Sequence, residues 1–257
     1  MTDTGNPWAE GGRTLDPAEL FHRYELCVVR VQVTLPSGDI GNGTAFHIGG
    51  GAFVTAKHVV EGMADIVLFE GDTRYGKEGH PVTKILPHSN DDIDLAILLS
   101  DLWKDVFGDH AAEDPPKGED HKFIPLPELW DDWIDDQFVL TKGMICGYPR
   151  VPFSRHPNKV AVSAEINADI DRYDKSFVHF IVSSVARGGF SGAPFICQFD
   201  FLLGVVTESL AEGNDTPFMA VLAIEPIYDI INANEEHLKG RLDHYLSGWS
   251  KNKSREA

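Results

Sequence analysis

Cysteine is scarce. The 257 residues hold three, Cys27, Cys146 and Cys197, an odd number at wide spacing with no C-x-x-C pair. That pattern supports neither a disulfide framework nor a zinc ribbon. Each lies in an apolar run ("ELCVV", "MICGY", "FICQF"), where buried free thiols are expected. Basic residues are outnumbered: 22 Lys and Arg face 40 Asp and Glu, for a formal net charge of −18. Such a chain repels nucleic-acid phosphates and anionic membrane surfaces, so neither is an expected partner. No apolar run approaches the ~18 residues of a membrane-spanning helix. The stretch "MTDTGNPWAEGGRTLDPAEL" lacks the basic start and apolar core of a secretory signal. Together these absences predict a reducing, cytoplasmic location. Eleven histidines include no H-E-x-x-H or comparable cluster, so neither metal nor cofactor is expected.

Helical spacing is missing from the middle of the chain. It occurs near the start, where Asp16 can cap a helix opening on Pro17, with Leu20, Phe21 and Tyr24 on one face. It returns near the end, in Ile227, Ile230 and Ile231 and then Leu238, Leu242 and Leu246. Between them run short β-like segments set off by Gly-rich punctuation. The first block holds "CVVRVQVTL", "GTAFHI", "GAFVTA", "ADIVLFE" and "DLAILLS". The second holds "FVLTKGMICGYP", "NKVAVSAEI", "SFVHFIVSS", "APFICQFDFLLGVVTES" and "FMAVLAIEP". Residues 101–136 separate the blocks with twelve acids against three lysines, a solvated insertion and connector. The expected fold is all-β, two antiparallel barrels flanked by terminal helices. The boundaries expected are 1–26 for an N-terminal extension, 27–100 and 138–226 for the barrels, 101–137 for the insertion, and 227–257 for a helical tail.

One stretch, "ARGGFSGAP" at 186–194, crowds glycines around a single hydroxyl, Ser191. Alone it reads as a tight glycine-rich turn before it reads as a nucleophile. A serine nucleophile needs a base within hydrogen-bond reach and donors for the oxyanion it creates. "FVTAKHVV" offers His58 after one strand, and "DDIDLAIL" offers Asp94 before another, with Asp91 and Asp92 as rivals. The order His58, Asp94, Ser191 is that of the chymotrypsin-type triad.

The blocks around these residues resemble trypsin-like serine peptidases. "GTAFHIGGGAFVTAKHVV" resembles the segment around their catalytic histidine, "DIDLAIL" that around the aspartate, and "GGFSGAP" the G-x-S-G-G-P motif. "FLLGVVTES" resembles the strand that follows the serine, and "GYP" at 147–149 the start of the second barrel. The nearest type is the disulfide-free HtrA/Deg group, here without a PDZ-like domain. The resemblance covers roughly residues 27–226.

The resemblance implies a serine endopeptidase acting on protein or peptide substrates. Ser191 would be the nucleophile, His58 the base, and Asp94 the group that orients it. The backbone N–H groups of Gly189 and Ser191 would form the oxyanion hole. The substrate pocket would include Val185 at its base, with Ala186, Thr207, Glu208 and Ser209 in its wall, and would take a small or medium apolar side chain. Glu208 would either enter the cleft and favour a basic group or face solvent. Phe190 stands where secreted relatives carry the Asp that pairs with a newly cut N-terminus, which argues against that mode of activation. Ala193 replaces a usual glycine. It keeps open a catalytically inactive protease fold that binds peptides. A regulatory protein partner is also expected, with the terminal helices as candidate docking elements. An α/β-hydrolase reading would use Ser191, Asp229 and His237, but G-x-S-x-G fails at Ala193.

Overall fold

The structure is a computed structural model. It describes residues 14–71, 78–106, 122–127, 138–171, 177–184, 187–210 and 218–246. Among these residues twelve strands form two closed antiparallel barrels of six. The first comprises β1 (Val28–Thr34), β2 (Ile40–Gly49), β3 (Ala52–Thr55), β4 (Ala64–Phe69), β5 (His80–Pro87) and β6 (Ala96–Ser100), in the order β1-β2-β3-β6-β5-β4. The second comprises β7 (Lys142–Gly147), β8 (Val160–Asp171), β9 (Val178–Val182), β10 (Pro194–Cys197), β11 (Leu202–Leu210) and β12 (Phe218–Ala223), in the order β10-β11-β12-β9-β8-β7. The all-β double barrel expected from the sequence is thus present, with helices at both ends.

Side-chain alternation explains the two cores. Along β1, Val29, Val31 and Val33 point inward and join Phe53, Leu68 and Leu98 in the first barrel. On β2, β3 and β6 the opposite face is apolar too. Phe46, Ile48, Val54 and Ile97 leave the first barrel and pack in one continuous core with Phe195, Leu203 and Val221 of the second. Strands buried on both faces read as unbroken apolar runs, which is why "AFVT" and "AILLS" show no polar alternation.

Two details differ from the expectations. Strand β5, "HPVTKILP", carries prolines at both ends and mostly exposed side chains, so its sequence does not announce a strand. Its prolines sit at the margins, where a missing N–H costs the ladder least. "GYP" closes β7 instead of opening the second barrel. Gly147 lies at the seam, where an added Cβ would be 2.7 Å from Thr44 Oγ1 and 3.2 Å from Ala193 Cβ.

Helix α1 (Pro17–Tyr24) has a full capping box: Asp16 accepts from the N–H of Ala18 and Glu19, and Glu19 accepts from the N–H of Asp16. Although it precedes the first barrel, α1 lies against β7 and β8 of the second. Arg23 pairs there with Asp200, and the Tyr24 hydroxyl donates to Asp200 at 3.0 Å. Helix α2 (Glu225–Ala233) buries Ile227, Ile230 and Ile231, each worth roughly 1.5–3 kcal/mol. A short helix, α3 (Glu235–Leu238), follows. The tail clasps the interbarrel connector, where Tyr228 donates to the Pro127 carbonyl at 2.6 Å and the Leu126 N–H donates to the Tyr245 hydroxyl at 2.9 Å. Most of the acidic stretch, including Trp130 and Trp133, lies outside the described residues.

Candidate active site at the seam between the barrels

Strand register brings His58 and Asp94 together. β3 and β6 are paired with Thr55 opposite Ala96. The chain leaving β3 enters a single helical turn, Lys57–Val59, while the chain entering β6 passes through Asp94. The two therefore emerge side by side at one end of the first barrel. Asp94 holds His58 at two points: one carboxylate oxygen accepts from the backbone N–H at 2.9 Å, the other from ring Nδ1 at 2.6 Å. A carboxylate only accepts, so Nδ1 carries the proton. The His58 side chain is 51% exposed and that of Asp94 20%.

The rival aspartates do other work. Asp91 is fully exposed, and buried Lys57 donates to its carbonyl at 3.0 Å. Asp92 takes part in a turn, its N–H donating to Asn90 Oδ1 at 3.0 Å. Nothing in the sequence marks Lys57 as the residue that tethers the loop leading to Asp94.

Ser191 reaches this region from the second barrel. The Thr44 N–H donates to the Ser191 carbonyl at 3.0 Å. Gly192, at φ +87°, packs so closely on the first barrel that a Cβ there would collide with the Thr44 carbonyl and lie 3.1 Å from the Ala56 nitrogen. Gly189, at φ +101°, lies as tightly against Tyr148, with a built Cβ 2.5 Å from its carbonyl oxygen. Glycine is required at both positions for conformation and for space. Among the described residues, the N–H groups of Gly189 and Ser191 have no protein acceptor, and the Ser191 hydroxyl makes no hydrogen bond. Ala193 is fully buried against the turn, its carbonyl accepting from the Val206 N–H at 2.8 Å, and its methyl lines neither neighbouring pocket.

An open pocket of about 110 Å³ adjoins Ser191, lined among others by Phe190, Val206, Glu208, Ser209 and Met219. Glu208 occupies its wall, and its carboxylate lies 3.9 Å from Nε2 of the buried His179. Thr207 does not line this pocket. It lies with Asp94, His179 and Glu208 around a smaller space, where its hydroxyl is buried without a hydrogen-bond partner among the described residues. Val185 and Ala186 lie outside the described residues.

The α/β-hydrolase arrangement does not occur. The fold is all-β, Asp229 faces His88 at 3.6 Å, and His237 Nε2 lies 2.6 Å from Lys84 Nζ. Among the described residues, no three His, Cys, Asp or Glu side chains gather as a metal site would need, and no helix is long and apolar enough to cross a membrane.

No protein-family model matches the chain, and no curated protein matches its sequence. Solved structures do match. The Rv3671c protease of M. tuberculosis in its active form is 21% identical with a TM-score of 0.57, covering 85% of this chain and 86% of that one. The HtrA-type protease AlgW with a tripeptide is 18% identical with a TM-score of 0.61, over 85% of this chain and 64% of that one. The serine endoprotease from Yersinia pestis is 15% identical with a TM-score of 0.57, over 81% and 62%. At such identities the likeness is one of fold, and by that measure the chain has the double-barrel architecture of the chymotrypsin-type serine proteases.

Proposed function

We propose that the protein is a serine endopeptidase. The observation that carries this is the two-point hold of Asp94 on His58, at the seam where the Ser191 turn docks. In this reading Ser191 Oγ attacks the peptide carbonyl while His58 Nε2 takes its proton. The tetrahedral oxyanion accepts from the N–H groups of Gly189 and Ser191, and Asp94 stabilises the imidazolium. Collapse expels the amine, which receives the proton from His58. Water then repeats the sequence on the acyl-enzyme. The chemistry needs no cofactor. The pocket beside Ser191 takes the side chain preceding the scissile bond, with Phe190, Val206 and Met219 as apolar wall and Glu208 as its acid. We place the protein in a reducing, cytoplasmic compartment, a reading supported by three buried free cysteines, and expect a regulatory partner to restrain it there.

A second reading is favoured by one observation. The Ser191 hydroxyl makes no hydrogen bond with a described residue, as in a protease fold that binds peptides without cleaving them. Catalytic hydrogen bonds often close only in the substrate complex. A fluorophosphonate probe decides between the two. The peptidase reading expects labelling of the parent and none of Ser191→Ala. A folded parent that resists the probe speaks for the binding module.

A further inference from the structure

The chain carries a net charge of −18, yet residues 149–164 contain no acid and hold Arg150, Arg155, His156 and Lys159. Residues 149–159 of this run lie in the loop between β7 and β8, and the rest begin β8. Its root is fixed to the Ser191 turn: the Arg150 N–H donates to the Gly188 carbonyl at 3.1 Å, and the Tyr148 N–H donates to Thr44 Oγ1 at 2.9 Å. Its tip is internally braced. The Ser154 hydroxyl donates to the His156 carbonyl at 2.7 Å, and Asn158 Nδ2 donates to both Ser154 Oγ and that carbonyl, at 2.5 and 2.8 Å. This brace holds Phe153 at φ +64° with its side chain wholly in water. An L-residue in left-handed backbone is disfavoured, and an exposed aromatic ring gains nothing from folding. Among the described residues, Arg150 and Arg155 have no carboxylate partner, whereas Lys159 is engaged with the Glu25 carbonyl.

The loop and the pocket both adjoin the Ser191 turn. They meet at Gly188, which lines the pocket and accepts from Arg150, and no residue of the loop lines the pocket. That contact puts the loop next to the turn a polypeptide would cross with one side chain in the pocket and its next bond at Ser191. We propose that this loop binds the leaving-group side of an acidic polypeptide substrate, Arg150 and Arg155 taking carboxylates and Phe153 an apolar residue between them. The direction of the peptide rests on the endopeptidase reading. The charge argument does not. Screening confines electrostatics to roughly 8 Å at physiological salt, so a local basic patch selects an acid at contact range even though the whole chain repels it.

Full-length Ser191→Ala protein and two fluorescent dodecapeptides test this. Both peptides carry a Phe in the C-terminal half, flanked by two Glu in one and two Lys in the other, and anisotropy reads the binding. The Glu peptide is expected to bind about tenfold tighter, the scale of two exposed ion pairs gained by one peptide and two like-charge contacts met by the other. Adding Arg150→Gln and Arg155→Gln should abolish the preference, and Phe153→Ser should weaken both peptides, with melting curves confirming that each variant is folded. Equal or tighter binding of the Lys peptide, a preference that survives the double substitution, or no binding of the Glu peptide overturns the proposal. Probe labelling of the parent is read separately. A labelled protein without the preference loses this inference and keeps the peptidase reading, and an unlabelled one with it keeps the loop as a peptide-binding surface.

Discussion

Thr44 and Gly189 are joined across the seam: the Thr44 hydroxyl donates to the Gly189 carbonyl at 2.7 Å while accepting from the Tyr148 N–H at 2.9 Å. One side chain of the first barrel thereby satisfies two backbone groups of the second, beside the Ser191 turn. Thr44→Val keeps the shape and strands both groups, a loss of about 2–3 kcal/mol. For a domain of this size that is roughly 5–10 °C in Tm. Thr44→Ser should recover most of it. A Val variant that melts with the parent would show that the bridge holds nothing.

Two neighbouring glycines should respond in opposite ways to alanine. At Gly192 the backbone is left-handed and a methyl meets the Thr44 carbonyl, so Gly192→Ala should separate or unfold the barrels. At Gly188 no atom of a described residue lies within 4 Å of a built Cβ, so Gly188→Ala should melt within about 1–2 °C of the parent. Equal melting of the two variants would contradict the packing described for the turn.

His47 predicts an acid limb. It is fully buried, with Nδ1 donating to the Lys122 carbonyl at 2.6 Å and Nε2 accepting from the Gly51 N–H at 3.0 Å. Burial lowers its pKa from the ordinary 6.5 to about 4. Between those values the unfolded chain binds a proton that the folded one does not. Stability should therefore fall by about 3 kcal/mol as pH drops from 6.5 to 4. In NMR titration the His47 ring should stay neutral until near pH 4. Titration close to 6.5 would refute the assignment.

The three thiols should be silent in the folded protein. Burial pushes Cys146 and Cys197 up to about 12, and Cys27 upward as well. Reaction with an aromatic disulfide reagent at pH 8 should be negligible until denaturant is added, and should then count three. Fast labelling in buffer would mean that one of these cores opens.

If the endopeptidase reading holds, Asp94→Asn should lower kcat by about four orders of magnitude, because the amide no longer enforces the Nδ1–H tautomer. Asp92→Asn should change it little. Similar losses in the two variants would remove Asp94 from the orienting role.

What could be read in advance follows from how locally each feature is encoded. The strands buried on both faces are legible because burial leaves only apolar residues, as in "AILLS". His58 and Asp94 are legible as neighbours because each sits at a fixed offset from a strand, and register does the rest. The Thr44 bridge is not, since a threonine in "NGTAF" looks like any strand residue until the second barrel arrives. Neither is the irregularity in β11. A register shift falls between Val206 and Glu208, where Glu208 borders both the Ser191 pocket and the space that Thr207 shares with Asp94, and a bulge leaves no mark in composition. β5 is masked by its prolines and polar surface.

The docking of α1 has a consequence for how the chain is made. Arg23 and Asp200 are 177 residues apart. During synthesis at roughly 5–20 residues per second, the helix waits about 9–35 s for its partner to be translated. Isolated helices this short are marginal in water even with good caps, so α1 cannot persist through that interval on its own. It leaves the ribosome well before the residue it docks on. A nascent chain arrested before Asp200 should expose Leu20 and Tyr24 to chaperones, and release from the ribosome should bury them.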